Sequence, residues 1–90
     1  MMIPTHYVTL TECDRFGTYH KGDLVLNFDD ACDQYVEARE DGQPAAVFRV
    51  DPPRGNAAGM YIDVTADAER RIAQWHNARR QELPEWLEVA

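Results

Sequence analysis

Ninety residues carry sixteen acidic and nine basic side chains, a net charge of −7, at 44% hydrophobic content. That composition describes one compact domain over residues 1–90, with apolar mass for a core of its own, and neither a disordered chain nor a membrane span of about 18 apolar residues. The acidity argues against direct binding to nucleic acid or to an anionic membrane, both of which need a basic footprint.

The imbalance is local. Residues 1–45 hold nine acids and three bases, and residues 46–90 hold seven and six. The opening MMIPTHYV has neither the basic nor the apolar region of a secretion signal, so a cytoplasmic, soluble protein is expected.

His6 to Cys13, HYVTLTEC, alternates in the manner of a half-buried strand, with Val8 and Leu10 on one side and Tyr7, Thr9 and Thr11 on the other. Residues 14–26 contain Gly17 and a Lys21-Gly22 turn signal. They read either as a second short hairpin strand ending in Leu24-Val25-Leu26 or as an irregular loop. A helix follows, capped by Asn27 or Asp29 and stopped by Gly42.

Ala45 to Asp51 is the next strand, with Ala46, Phe48 and Val50 expected inward. Met60 to Val64 returns with Met60, Ile62 and Val64 inward, and the short connection forces an antiparallel hairpin. The intervening RGNAAG lacks the Gly-Lys-Ser/Thr ending of a phosphate loop and reads as the hairpin turn. Thr65 then caps a second helix to about Gln81, with Ala68, Ile72, Trp75 and Leu83 in one stripe, and Pro84 ends it. Trp86 and Leu87 are expected to cover an edge of the core.

The order predicts an α+β fold: an antiparallel sheet of three to four strands with both helices on one face. The covered face is expected to be apolar, and the open face to carry Thr9, Thr11, Arg49, Tyr61 and Asp63, with Tyr7 beside Tyr61.

The first helix carries the most distinctive pattern, FDDACDQYVEARED. Stepping about 100° per residue, Asp29, Asp30, Asp33, Glu37, Glu40 and Asp41 fall within about 120° of arc, opposite Ala31, Tyr35 and Ala38. Arg39 falls on the wrong side to neutralise them. The dipole favours Asp29, Asp30 and Asp33 near the first turn but opposes Glu40 and Asp41 in the last. The pairs Asp29–Asp33, Asp33–Glu37 and Glu37–Asp41 repel, each by a few tenths of a kcal/mol. Along the axis the six give one charge per roughly 3 Å, against one per roughly 3.4 Å in a DNA strand. The face is therefore a solvated acidic surface, a recognition surface for a basic, nucleic-acid-binding protein or, least of the three, a divalent-cation site, and its Asp spacing does not fit the D-x-D-x-D-G calcium loop.

Catalytic chemistry is sparse. The chain has no serine and one lysine, Lys21, in a turn. His6, His20 and His76 are scattered, and Cys13, His20, Cys32 and His76 have no spacing typical of zinc. The two cysteines read as reduced thiols, the alternative being a bridge from the first strand to the first helix. His76 is expected to pack beside the stripe of the second helix. No enzyme activity, cofactor or metal is expected.

In size, acidity and layout, with the ridge FDDACDQYVEARED, the chain resembles small inhibitors from phages and mobile elements of the anti-CRISPR type. That resemblance implies stoichiometric binding to a basic nucleic-acid-binding surface of a partner complex, with Asp29, Asp30, Asp33, Glu37, Glu40 and Asp41 as the partner-binding residues and DNA mimicry as one form it takes. The other reading is a bacterial regulatory or structural interaction module, homodimeric through the open sheet face.

Overall fold

A computed structural model of the chain describes residues 4–13, 18–56 and 58–87, and the side chains at positions 13 and 18–20 lie outside this description. The elements are β1 (His6–Cys13), β2 (Thr18–Lys21), α1 (Phe28–Glu40), β3 (Ala45–Asp51), β4 (Met60–Asp63) and α2 (Thr65–Ala78). The fold is α+β. The four strands form one antiparallel sheet in the order β2-β1-β3-β4, and both helices pack on one face of it. Of the segment 14–26, Thr18–Lys21 pairs with β1, and Val25 adds an isolated bridge to Tyr7 rather than extending the strand.

Both helix starts depend on side-chain oxygens. Asn27 Oδ1 accepts from the Asp29 N–H at 2.7 Å and caps α1. At α2 the cap differs from expectation. Asp63 Oδ1 accepts from the Thr65 N–H at 2.9 Å, while the Thr65 hydroxyl turns to β3 and accepts from the Val47 N–H at 3.0 Å.

Both helices end in the same motif. After α1, Gly42 takes φ 77°, its N–H donates to Arg39 and the Gln43 N–H donates to Ala38. After α2, Arg80 takes φ 54°, its N–H donates to Asn77 and the Gln81 N–H donates to His76. These are Schellman closures, the second without the glycine that usually announces one. It ends α2 at Ala78, short of the expected Gln81, and leaves Leu83 outside the helix and 40% exposed.

The core joins Ala31, Cys32 and Tyr35 of α1 to Val47 of β3, Val64, and Ala68, Ile72 and Ala73 of α2, with Leu87 beneath. Small residues dominate the helix surfaces, which lets both helices sit close to the sheet.

The expected faces of β1 and β3 are reversed. Tyr7 packs against Phe28 with ring centroids 5.4 Å apart, and Ala45 and Val47 join the core, so the odd-numbered residues of both strands point to the helices. Thr9 and Thr11 border a groove against α1 rather than the open face. Strand alternation then places Val8, Leu10, Ala46, Phe48 and Val50 on the open face. On β4 the expectation holds for Ile62, which packs on the core, and for Tyr61, which is 76% exposed. Met60, expected inward, is instead 57% exposed.

The open face is therefore the more apolar one. Val8 and Val50 are nevertheless buried, because Phe48 stands opposite Val8, and His6 and Tyr61 flank Val50.

Candidate functional site

The first helix buries Ala31, Cys32, Tyr35 and Ala38, the stripe its periodicity requires, and turns its carboxylates outward. The structure divides those six carboxylates into three groups. Asp29, on the flank towards α2, receives Arg71 Nε at 3.0 Å and Nη2 at 3.3 Å. This contact holds the Arg71 guanidinium above its ordinary pKa. Glu40, on the same flank one helix length away, accepts from Trp86 Nε1 at 3.4 Å.

Asp30 and Asp33 form the crest. Both are exposed, and among the described residues no side-chain hydrogen bond or ion pair engages either. Glu37 and Asp41 lie on the other flank, above a groove of about 280 Å³ between α1 and the β1–β2 edge.

Arg39 stays on the buried side, as its angular position requires. Its Cζ lies 5.8 Å from the Trp86 ring centroid, and that ring meets Tyr35 edge-on at 5.9 Å. Trp86 and Leu87 thus close the core edge under the last turn of α1. The arginines of the second half do little to neutralise the ridge: Arg49 pairs with Asp51 and Arg70 with Asp67, and among the described residues only Arg71 forms an ion pair with α1.

Among the described residues, two buried polar atoms on the groove, on Thr9 and Gln34, have no hydrogen-bond partner. Thr9 is 2% exposed with its Oγ1 unpartnered, and the Gln34 Oε1 is likewise buried without a hydrogen-bond partner. The Gln34 amide orientation is set by its Nε2, which donates to the Asp23 carbonyl at 3.0 Å. A wall with Gln34 Oε1, Glu37 and Asp41 is rich in acceptors, and such a wall suits a donor-rich cation. Lys21 borders the groove at the sheet edge. Sequence reasoning missed Thr9 and Gln34. Periodicity locates each residue, but no sequence signal marks an unfilled hydrogen bond.

Cys32 is fully buried and free, and burial, reinforced by Asp29 and then opposed by Arg71, pushes its thiol up to about 12. It remains a protonated thiol near neutrality and is no nucleophile there. His76 Nδ1 donates to the Ile72 carbonyl at 3.0 Å, so the ring folds back on its own helix. Of the imagined zinc set, the side chains of Cys13 and His20 lie outside the described residues. Among the described residues no group of three His, Cys, Asp or Glu side chains could hold a metal ion, and no helix is long and apolar enough to cross a membrane.

Comparison with family models, with curated proteins and with solved structures finds no match to this chain.

Proposed function

We propose that the chain is a stoichiometric binding protein whose α1 ridge occupies a basic, nucleic-acid-binding surface of a partner protein, as an inhibitor of the mobile-element kind would. The observation that carries this is the state of Asp30, Asp33 and Glu37 on α1 and Asp41 at its C-cap, four exposed carboxylates with no ion pair among the described residues. Their repulsion contributes nothing to the fold, and a lysine or arginine surface would relieve it. The groove beside them supports the same reading, since a guanidinium seated between Glu37 and Asp41 would find acceptors on both sides.

Affinity capture from a lysate, with and without nuclease, identifies the partner. A DNA-competition assay on the captured partner then tests the ridge. Wild-type protein displaces DNA, with an affinity that falls steeply as salt rises, because exposed charges are screened over about 10 Å at 0.1 M. The Asp33→Lys, Glu37→Lys double variant keeps its thermal melt and loses the competition. A double variant that competes as well as wild type makes the ridge a solvated surface.

A further inference from the structure

We infer that the groove between α1 and the β1–β2 edge is an arginine pocket, and that its occupant is the side chain of one arginine on the partner's surface. The inference rests on the binding role given to the ridge, and it names the contact that would make that binding selective.

The pocket is built by helical spacing. Gln34, Glu37 and Asp41 follow one another at three and four residues, so they share one line down the flank of α1. Along the axis they are about 4.5 and 6 Å apart. Thr9 stands below them on the helix-facing side of β1, and Gly22 lies across from Gln34. The Gly22 N–H donates to the Thr9 carbonyl at 2.8 Å, and Gln34 Nε2 reaches over to the Asp23 carbonyl at 3.0 Å. A β-carbon at Gly22 would sit 3.3 Å from the Thr9 carbonyl and 3.7 Å from Gln34 Oε1, filling this end of the groove.

Charge favours a cation. Among the described residues, the charged groups bordering the groove are Lys21, Glu37 and Asp41. Register sets Lys21 opposite Leu10, so its side chain leaves β2 on the open face, where it lines the hollow beside Val8 and Phe48. Glu37 and Asp41 are exposed and enter no ion pair among the described residues. Asp41 is also the C-cap of α1, the negative end of the helix dipole, so the peptide groups reinforce both carboxylates.

Unmet hydrogen bonds select the kind of cation. Thr9 is 2% exposed with Oγ1 unpartnered, and Gln34 Oε1 is buried without a partner. Both oxygens accept. They are shielded from bulk water, so a donor must descend into the groove, and the Gln34 carboxamide turns about its hydrogen bond to Asp23 to meet it. No group of His, Cys, Asp or Glu among the described residues could hold a metal ion instead.

Size and shape choose arginine. At about 280 Å³ the groove lies under the roughly 300 Å³ at which pockets for drug-sized ligands begin, so it suits a side chain rather than a whole cofactor. A guanidinium carries five donors in one plane and is weakly hydrated. It can address Glu37 together with a neighbour on the same line and loses little on leaving water. An ammonium gathers three donors on one atom and holds its water more strongly, so lysine satisfies fewer of these acceptors.

Amide NMR titration of the labelled chain tests this without the partner. The probes are the methylamides of Nα-acetyl-arginine and Nα-acetyl-lysine, which carry the same charge. The arginine probe is expected to shift the Thr9 and Gly22 amides and the Gln34 side-chain amide. It should bind about tenfold more tightly than the lysine probe, the factor that one hydrogen bond to a charged group supplies. Glu37→Gln and Thr9→Val should each weaken it towards the lysine value. Glu37 is exposed, so its variant folds even where Thr9→Val does not, and circular dichroism checks both. Glu82→Gln removes the same charge outside the groove and should bind as wild type does. No shift with the arginine probe, equal affinity for the two probes, or equal weakening in Glu82→Gln overturns the inference. This titration and the DNA competition fail separately. A chain that takes the arginine probe but displaces no DNA keeps the pocket and loses the nucleic-acid-surface reading, and the reverse result keeps the ridge and loses the pocket.

Discussion

Arg71 on α2 grips Asp29 at the start of α1 through two hydrogen bonds, one to each carboxylate oxygen, at 3.0 and 3.3 Å. Both side chains are nearly half exposed, and exposed ion pairs add little stability. The contact matters for charge, because it removes one carboxylate from the ridge. Arg71→Gln should therefore melt close to wild type, be retained longer on an anion exchanger and compete more strongly for a basic partner. A steep drop in melting temperature would make the pair a structural clamp.

Tyr35 links the helices differently. It is 3% exposed and donates to Glu69 Oε1 at 2.8 Å. Burial first, and the Glu69 hydrogen bond second, hold its phenol well above the ordinary value of 10.0. Cys32 behaves alike, from 9.0 to about 12. Both folded values exceed the unfolded ones, so the neutral forms cost nothing at low pH. Stability is intact below about pH 9, then declines as the unfolded chain ionises its thiol and, from about pH 10, its phenol. Urea titrations across the alkaline range should show this fall, and Tyr35→Phe should flatten the part above about pH 10. A stability flat to pH 11 in wild type would contradict it.

The Thr65 hydroxyl joins the first turn of α2 to β3 by accepting from the Val47 N–H, on a residue with no exposed surface. Thr65→Val leaves that donor unpaired and should cost about 1–3 kcal/mol in chemical denaturation. Thr65→Ser keeps the oxygen and should recover most of the loss. A Thr65→Val variant as stable as wild type would show that the Val47 N–H gains nothing from the hydroxyl.

Gly42 and Arg80 occupy the same position of the same closing motif, at φ 77° and φ 54°. A Cβ on Gly42 would meet nothing within 4 Å, so Gly42→Ala tests the backbone alone and should destabilise by about 1 kcal/mol. Arg80→Gly is expected to move the other way, stabilising by a comparable amount less the favourable charge lost at the helix end. Thermal melts of the pair should therefore shift in opposite directions.

Much of this fold is legible in the residues. The α1 stripe, the Asn27 cap and the Gly42 stop follow from spacing and from the φ that glycine permits. The orientation of β1 and β3 does not. Val8, Leu10, Phe48 and Val50 form a better apolar set than Thr9 and Val47, and alternation identifies two faces without saying which one a helix covers. The helices present alanines and a cysteine, and they fit closely over small Thr9 and Val47. The end of α2 was illegible for a related reason, since nothing in the arginine at position 80 announces a left-handed turn. On the ridge the spacing located all six carboxylates. The engagement of Asp29 and Glu40 depends on Arg71 and Trp86, more than forty residues away, and no local pattern encodes such contacts.

The pairing of β1 with β3, His6 opposite Val50 and Thr11 opposite Ala45, has a kinetic consequence. These central strands are separated in sequence by the whole of β2 and α1, so their ladder cannot close as a local hairpin. The chain must first close a long loop, and the contacts that reward that closure come late. The outer pairs, β1 with β2 and β3 with β4, are each local and can form and fray on their own. Opening the centre requires parting the two halves of the molecule. In hydrogen exchange, the amides shared by β1 and β3 should be the last to yield their protons, at the rate of global unfolding, while those of β4 exchange well before them.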